Sequence, residues 1–305
     1  MKNPCMVLMM KIRFFSFLVI VSVFSSCESN SPTKHNAAVK IPFEVTSHNN
    51  MKVKVVLNNQ DTLNLMFHTG AGDVSLTKKA AETVRSIDWE GNYDLNSWGG
   101  AFEARLSENN SLSIESLVWD SLTVWEFEHS GPETDGKFGP HLFEGKAYEI
   151  NYSQNALFIH DSLPPLSSDY TKVPMEYEKG MMFITGVSYI NGEEYRNRFM
   201  IHSGFAGSLL YDDSFAQESK IGEHIEITDE QTLKDSAGNE VKTLKGKLPK
   251  FSIEGFELND ITVGFFEGTI GRQQMSVMGG ELLKQFDWVI DAERNNVYLK
   301  RRNVV

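Results

Sequence analysis

Two short runs carry the side chains best suited to chemistry: Leu65-Met66-Phe67-His68-Thr69-Gly70-Ala71 and Phe199-Met200-Ile201-His202-Ser203-Gly204-Phe205. In each, an apolar stretch delivers a histidine, then a hydroxyl residue, then a glycine. An imidazole titrates near neutrality, so it can exchange protons there or, when neutral, ligate a metal. The glycine beside it allows a close backbone approach. Two histidines fall short of a zinc site, which takes three or four protein ligands. The carboxylates closest in sequence are Asp73 after the first run and Asp212 and Asp213 after the second. Metal binding through His68 and His202 is therefore one reading, and a hydrogen-bonded histidine pair with no metal or other cofactor is preferred. The other six histidines look ordinary. His35 and His48 lie in polar stretches, His129 and His160 near loops and His224 among glutamates, while His141, following Gly139-Pro140, is a weak candidate to support the first run.

The elements that must position these runs recur. Lys40-Ile41-Pro42-Phe43-Glu44-Val45 matches Lys172-Val173-Pro174-Met175-Glu176-Tyr177 at an offset of 132, and His68 matches His202 at 134. Phe138-Gly139-Pro140-His141-Leu142-Phe143, continuing to Ile150-Asn151 and Leu157-Phe158-Ile159, matches Met278-Gly279-Gly280-Glu281-Leu282-Leu283, Ile290-Asp291 and Val297-Tyr298-Leu299 at 140. Three blocks in one order, with offsets drifting by small insertions, indicate a duplicated lobe. Helical patterns are short, over Thr77 to Arg85 and Asp212 to Ser219, with another over Glu281 to Phe286. Asn191-Gly192 between apolar flanks predicts a hairpin turn, because both residues accept positive φ, and Asn295-Asn296 predicts another turn.

An apolar lead-in, a polar residue, Thr or Ser, and Gly resemble the Asp-Thr/Ser-Gly loops of pepsin-like and retropepsin-like aspartic proteases, with His in both aspartate positions. The third block follows that family's order of an apolar-apolar-Gly strand, a short helix and two strands. The resemblance covers nearly all of residues 40–301. It implies an all-β fold with short helices, built as two retropepsin-like lobes with a cleft between them. It places His68 and His202 at the catalytic positions, makes Thr69 and Ser203 the hydroxyls that tie the loops together, and makes Gly70 and Gly204 their supports. It also puts hairpin flaps at Ser97-Trp98-Gly99-Gly100-Ala101-Phe102 and at Asp235-Ser236-Ala237-Gly238-Asn239-Glu240. Trp98, Gly99 and Gly100 are the candidate cleft residues, while the second hairpin is read as a plain turn.

The 305 residues suit two lobes with their own cores, and 41% hydrophobic content is that of a globular chain. Lys2, Lys11 and Arg13 precede an apolar stretch from Phe14 to Phe24, the pattern of a signal peptide. Phe24-Ser25-Ser26-Cys27 resembles a bacterial lipoprotein signal with Cys27 acylated. The expected organisation is a signal peptide over 1–26, a lipidated tether over 27–39, a first lobe over 40–163, a linker over 164–171 and a second lobe over 172–305. The expected location is the bacterial cell envelope, anchored to the membrane on its periplasmic or surface side. The only cysteines are Cys5 and Cys27, so a mature chain starting at Cys27 has no disulfide. Loss of Lys2, Lys11 and Arg13 with the signal takes the formal charge from −12 to −15. An acidic body of this kind argues against a nucleic acid partner.

In the family, two close carboxylates share one proton and activate a water. Neighbouring imidazoles at neutral pH carry no negative charge with which to do so. The preferred function is a non-catalytic protease-fold lipoprotein that binds an extended peptide or other ligand in its cleft. The alternatives are a working peptidase with histidines in place of the aspartates, and a metal-binding protein. Protonation below about pH 6.5 is expected to push the two rings apart.

Overall fold

A computed structural model gives the fold, and it describes residues 37–97, 100–129, 131–234, 240–266 and 273–303. Residues His35–Val305 fall in one compact unit. The chain is mostly β-strand and forms two closed six-stranded barrels, the bilobal all-β architecture expected from the repeat. Cys27, Trp98 and Gly99 and the signal and tether segments before residue 37 lie outside the described residues, as does the tip of the second hairpin, 235–239.

Six strands join the lobes in one sheet, in the order Val39–Pro42, Ala156–His160, Ala147–Asn151, Phe286–Ile290, Asn296–Arg301, Thr171–Glu178. Its register reproduces the repeat. Lys40 pairs with Phe158 and Lys172 with Tyr298, which are the same two positions shifted by 132 and 140. At the centre Tyr148 faces Ile290, Glu149 faces Val289 and Ile150 faces Trp288. Adding 140 to one side of this ladder gives the other, so a pseudo-two-fold axis passes the Glu149–Val289 pair.

Each histidine sits at the end of a hairpin written by alternation. In Met51–Leu57, Met51, Val53, Val55 and Leu57 are buried, with less buried residues between them, the period of a strand with one face in the core. That strand turns through Asn58 and Asn59, both at positive φ, into Asp61–Phe67. In the second lobe Met181–Ile190 turns through Asn191 and Gly192, at φ 51° and 82°, into Glu193–His202, a two-residue hairpin of the expected kind. Beneath each hairpin runs a parallel floor strand. Phe67 is in register with Phe138 on Gly136–Phe138, and Ile201 with Met278 on Ser276–Gly279. The floor under the first histidine rests on a cluster of Phe67, Phe138, Phe143 and Tyr148, with ring centroids 5.4–6.4 Å apart.

The first and last helices are shorter than the sequence pattern, and the second matches it. The first is only Lys78–Ala81, capped by Thr77 Oγ1 accepting from Ala80 N–H at 3.1 Å. It stops because Asp61 Oδ2 captures the amides of Arg85 and Ser86. The second is Asp213–Ser219, with Asp212 as its cap and Lys220 at φ 50° ending it. The expected Glu281–Phe286 helix is Gly280–Leu283, because Phe286 already pairs with Arg301 in the sheet. Asn296 likewise belongs to the strand Asn296–Arg301, so the turn lies before it.

Candidate functional site

The two loops meet. The rings of His68 and His202 lie 4.6 Å apart, centroid to centroid, with planes at 63°. Behind them Thr69 and Ser203, both fully buried, form a closed cross of hydrogen bonds. Thr69 N–H donates to Ser203 Oγ at 3.0 Å and Ser203 N–H to Thr69 Oγ1 at 2.9 Å. Each hydroxyl then donates to the strand that delivers the opposite histidine, Thr69 Oγ1 to Ile201 O at 2.7 Å and Ser203 Oγ to Phe67 O at 2.8 Å. Both amides and both hydroxyls of the pair are used, as buried hydroxyls require.

The glycines are dictated by contact. A Cβ on Gly204 would lie 2.3 Å from Cδ2 and Nε2 of His68, so the first imidazole crosses onto the opposite loop. At Gly70 it would lie 2.3 Å from Met200 Cε. On the floors, a Cβ on Gly139 would strike Ala71 O and one on Gly279 would strike Phe205 O and Gly207 O. Gly139 and Gly279 are repeat equivalents, as are Ala71 and Phe205, so one steric demand appears twice.

Electrostatics keep the imidazoles neutral. His68 Nδ1 accepts the Gly70 amide at 3.0 Å, so its single proton resides on Nε2. Burial first, then His202 and Lys137, hold its pKa well below the ordinary value. Burial pushes His202 down to about 4, with Lys137 adding to the effect. Charging of the pair therefore sets in near pH 4 for His202, and not at the ordinary histidine value near 6.5 expected from sequence. Among the described residues, His202 Nδ1 has no hydrogen-bond partner.

The carboxylates considered as extra metal ligands are elsewhere. Asp212 caps its helix and bonds Asn197 and Ser276. Asp73 is exposed and acts on His141. Among the described residues no group of three or more His, Cys, Asp or Glu side chains is arranged around a metal position. His141 packs beside Gly139, behind the first loop.

A cleft of about 1300 Å³ opens over the pair. The second lobe's hairpin, Ile227–Lys234 with Glu240–Ile253, lines it through Gln231, Thr232, Leu233, Lys234 and Lys245. The candidate flap residues of the first hairpin, Trp98, Gly99 and Gly100, and the tip of the second, 235–239, fall where the described side chains stop. His48 and His129, read as ordinary, line the cleft too, and His48 Nδ1 stands 3.5 Å from Glu133 Oε1.

Sequence reasoning also missed Lys137. It sits on the first floor strand in register with Met66, faces the cleft, and passes 5.2 Å over the Phe127 ring. Its repeat equivalent is Val277, which lines the same cleft from the other lobe. A lysine at 137 against a valine at 277 was the signal that could have found it. Burial pushes the Lys137 ammonium down to about 8.

No protein-family profile matches the chain, and no curated protein matches it in sequence. Among solved structures it is similar to the aspartic proteinase from Irpex lacteus, with a TM-score of 0.58 over 88% of this chain and 98% of that one, at 15% identity. The fold is that of a pepsin-like aspartic proteinase. At this identity the likeness concerns the fold, in which His68 and His202 are the residues that face each other where the lobes meet.

Proposed function

We propose that this is a non-catalytic member of the aspartic-proteinase fold, an exported lipoprotein that holds an extended peptide in its inter-lobe cleft. The observation that carries the reading is the neutral His68–His202 pair, set on a loop cross that is fully hydrogen-bonded. Water activation in such proteases needs one negative charge shared by two carboxylates. Burial holds both rings neutral, pushing His202 down to about 4 and His68 well below its ordinary value, and a protonated ring is positive, so neither acid nor neutral conditions supply that charge. Among the described residues the one carboxylate lining the cleft, Glu281, already accepts a hydrogen bond from Ser208 Oγ at 2.9 Å. The cleft and the loop cross remain suited to an extended chain.

The test compares the unmodified protein with a His68→Asp/His202→Asp double variant on a denatured protein substrate from acid to neutral pH, with and without a pepstatin-like inhibitor. No cleavage is expected from the unmodified protein. Inhibitor-sensitive cleavage by it would overturn the reading, whereas cleavage gained only by the double variant would support a cleft still shaped for peptides.

A further inference from the structure

The two histidine runs share a feature that the loop cross does not use. Met66-Phe67-His68 and Met200-Ile201-His202 each set a methionine two residues before the histidine. Residues two apart on a strand share a face, and all four side chains line the cleft. Both methionines are buried, so their thioethers lie out of bulk water on the same wall as the imidazoles. The sulfur of Met66 rests on Gly131, where a Cβ would lie 3.0 Å from Sδ. Met200 reaches across to the first loop. A Cβ on Gly70 would lie 2.3 Å from Met200 Cε and 3.2 Å from His68 Cε1, so the methyl of one run meets the imidazole of the other over that glycine. The two histidines are not equivalent. His68 Nδ1 accepts the Gly70 amide and its proton resides on Nε2, so neither nitrogen has a lone pair to offer. His202 Nδ1 is buried and, among the described residues, has no hydrogen-bond partner. Buried polar atoms are satisfied as a rule, and one that is not points to a ligand.

We propose that the cleft binds a soft monovalent cation, Cu(I), through the thioethers of Met66 and Met200 and Nδ1 of His202, with the His68 ring holding Met200 in place. The inference goes beyond the peptide-binding reading and does not depend on it. The ligand types select the ion. Thioethers favour Cu(I) over hard or borderline cations, and imidazole suits copper as well. A zinc site would need further thiolate, imidazole or carboxylate ligands, and among the described residues no three such side chains gather around one point. All three proposed ligand atoms are uncharged. That suits a monovalent ion better than a divalent one, whose burial requires anionic partners. The unbranched methionine chain lets each sulfur adjust to the ion, and a thioether beside an aromatic ring edge is a favourable contact, which is the part His68 plays.

The experiment titrates Cu(I) without oxygen into the purified full-length protein against the chromophoric chelator bicinchoninate, in a Cys5→Ser/Cys27→Ser background that removes both thiols. The cleft is expected to withhold one equivalent of Cu(I) from the chelator, and X-ray absorption at the copper edge is expected to show sulfur together with nitrogen ligands. Met66→Leu and Met200→Leu nearly conserve volume. Each should weaken binding by more than about tenfold, the least that even a supporting contact to a metal site is worth, and the double variant should lose that equivalent altogether. His202→Gln should weaken it likewise, and Zn(II) offered in place of Cu(I) should not be held. Retention of the equivalent by the Met66→Leu/Met200→Leu double variant would overturn the inference, because copper would then be held elsewhere. Zn(II) held as tightly as Cu(I) would overturn it too, as would a copper spectrum without sulfur. Where a methionine variant melts early, the decision passes to that spectrum and to His202→Gln, and undiminished binding by the latter would overturn the inference.

Discussion

His68 and His202 are neutral for reasons a reader can separate. Burial acts first on both, His202 opposes charging of His68, and Lys137 opposes charging of either. The Gly70 amide adds a demand of its own, because only an unprotonated Nδ1 can accept it. A histidine whose folded pKa lies below its unfolded value is protonated first in the unfolded chain. Its contribution to stability is thus complete above about pH 6.5 and is lost as pH falls toward the folded value. For His202 the drop from 6.5 to about 4 corresponds to roughly 3 kcal/mol. His202→Gln should therefore lose less stability than the unmodified protein between pH 7 and pH 4.5, by something approaching that amount, measured as urea unfolding at both values. The comparison cancels the ordinary carboxylates, and Lys137 titrates in a separate window above about 8. Identical losses would mean that the pair is not held neutral by burial. The histidines themselves were legible, because a polar residue at the end of an apolar run stands out twice. Lys137 was not, since one lysine among many carries no local pattern until the two halves are compared position by position.

At the scale of elements, the loop cross is the part most tightly specified. It was legible at Thr69 and Ser203 through the family resemblance, which implies hydroxyls reaching across to tie the two loops. Its closure explains why the hydroxyls are kept while the residues beside them are histidines. Thr69→Val keeps the shape and deletes two bonds, leaving Ile201 O and Ser203 N–H without those partners. Each orphaned buried group costs about 1–3 kcal/mol, so a loss of roughly 2–5 kcal/mol is expected in chemical denaturation. Ser203→Ala should cost a similar amount, and the double variant less than the sum, because both residues belong to one ring of bonds. Strict additivity would show that the four bonds do not act together. The hairpins were legible from alternation and from Asn-Gly chemistry. Helix lengths were not, because their ends are set by partners far along the chain, such as Asp61 taking the amides of Arg85 and Ser86.

For the whole molecule, duplication is written in the register of the joining sheet, and the halves are bolted together off the axis as well. The buried Arg294 guanidinium donates to Phe143 O and Lys146 O of the first half and lies 4.8 Å from the Tyr148 ring centroid. Asn49 Nδ2 donates to Ala206 O at 2.8 Å while Lys284 Nζ donates to Asn49 Oδ1 at 2.7 Å, fixing the loop that carries His202. The first described strand begins at Val39, and the lipoprotein reading proposed above takes the segment before it as an address and tether. The apolar run from Phe14 to Phe24 is about half the length a spanning helix requires, and it ends at Ser25-Ser26-Cys27. An acidic domain gains little from an anionic lipid surface, so the proposed attachment rests on acyl chains at Cys27, each buried methylene contributing about 0.8 kcal/mol. Cys27→Ser is accordingly expected to move the protein from the membrane fraction to the soluble fraction, with its thermal unfolding unchanged. If the variant still sediments with membranes as the unmodified protein does, lipidation at Cys27 is not what holds it there.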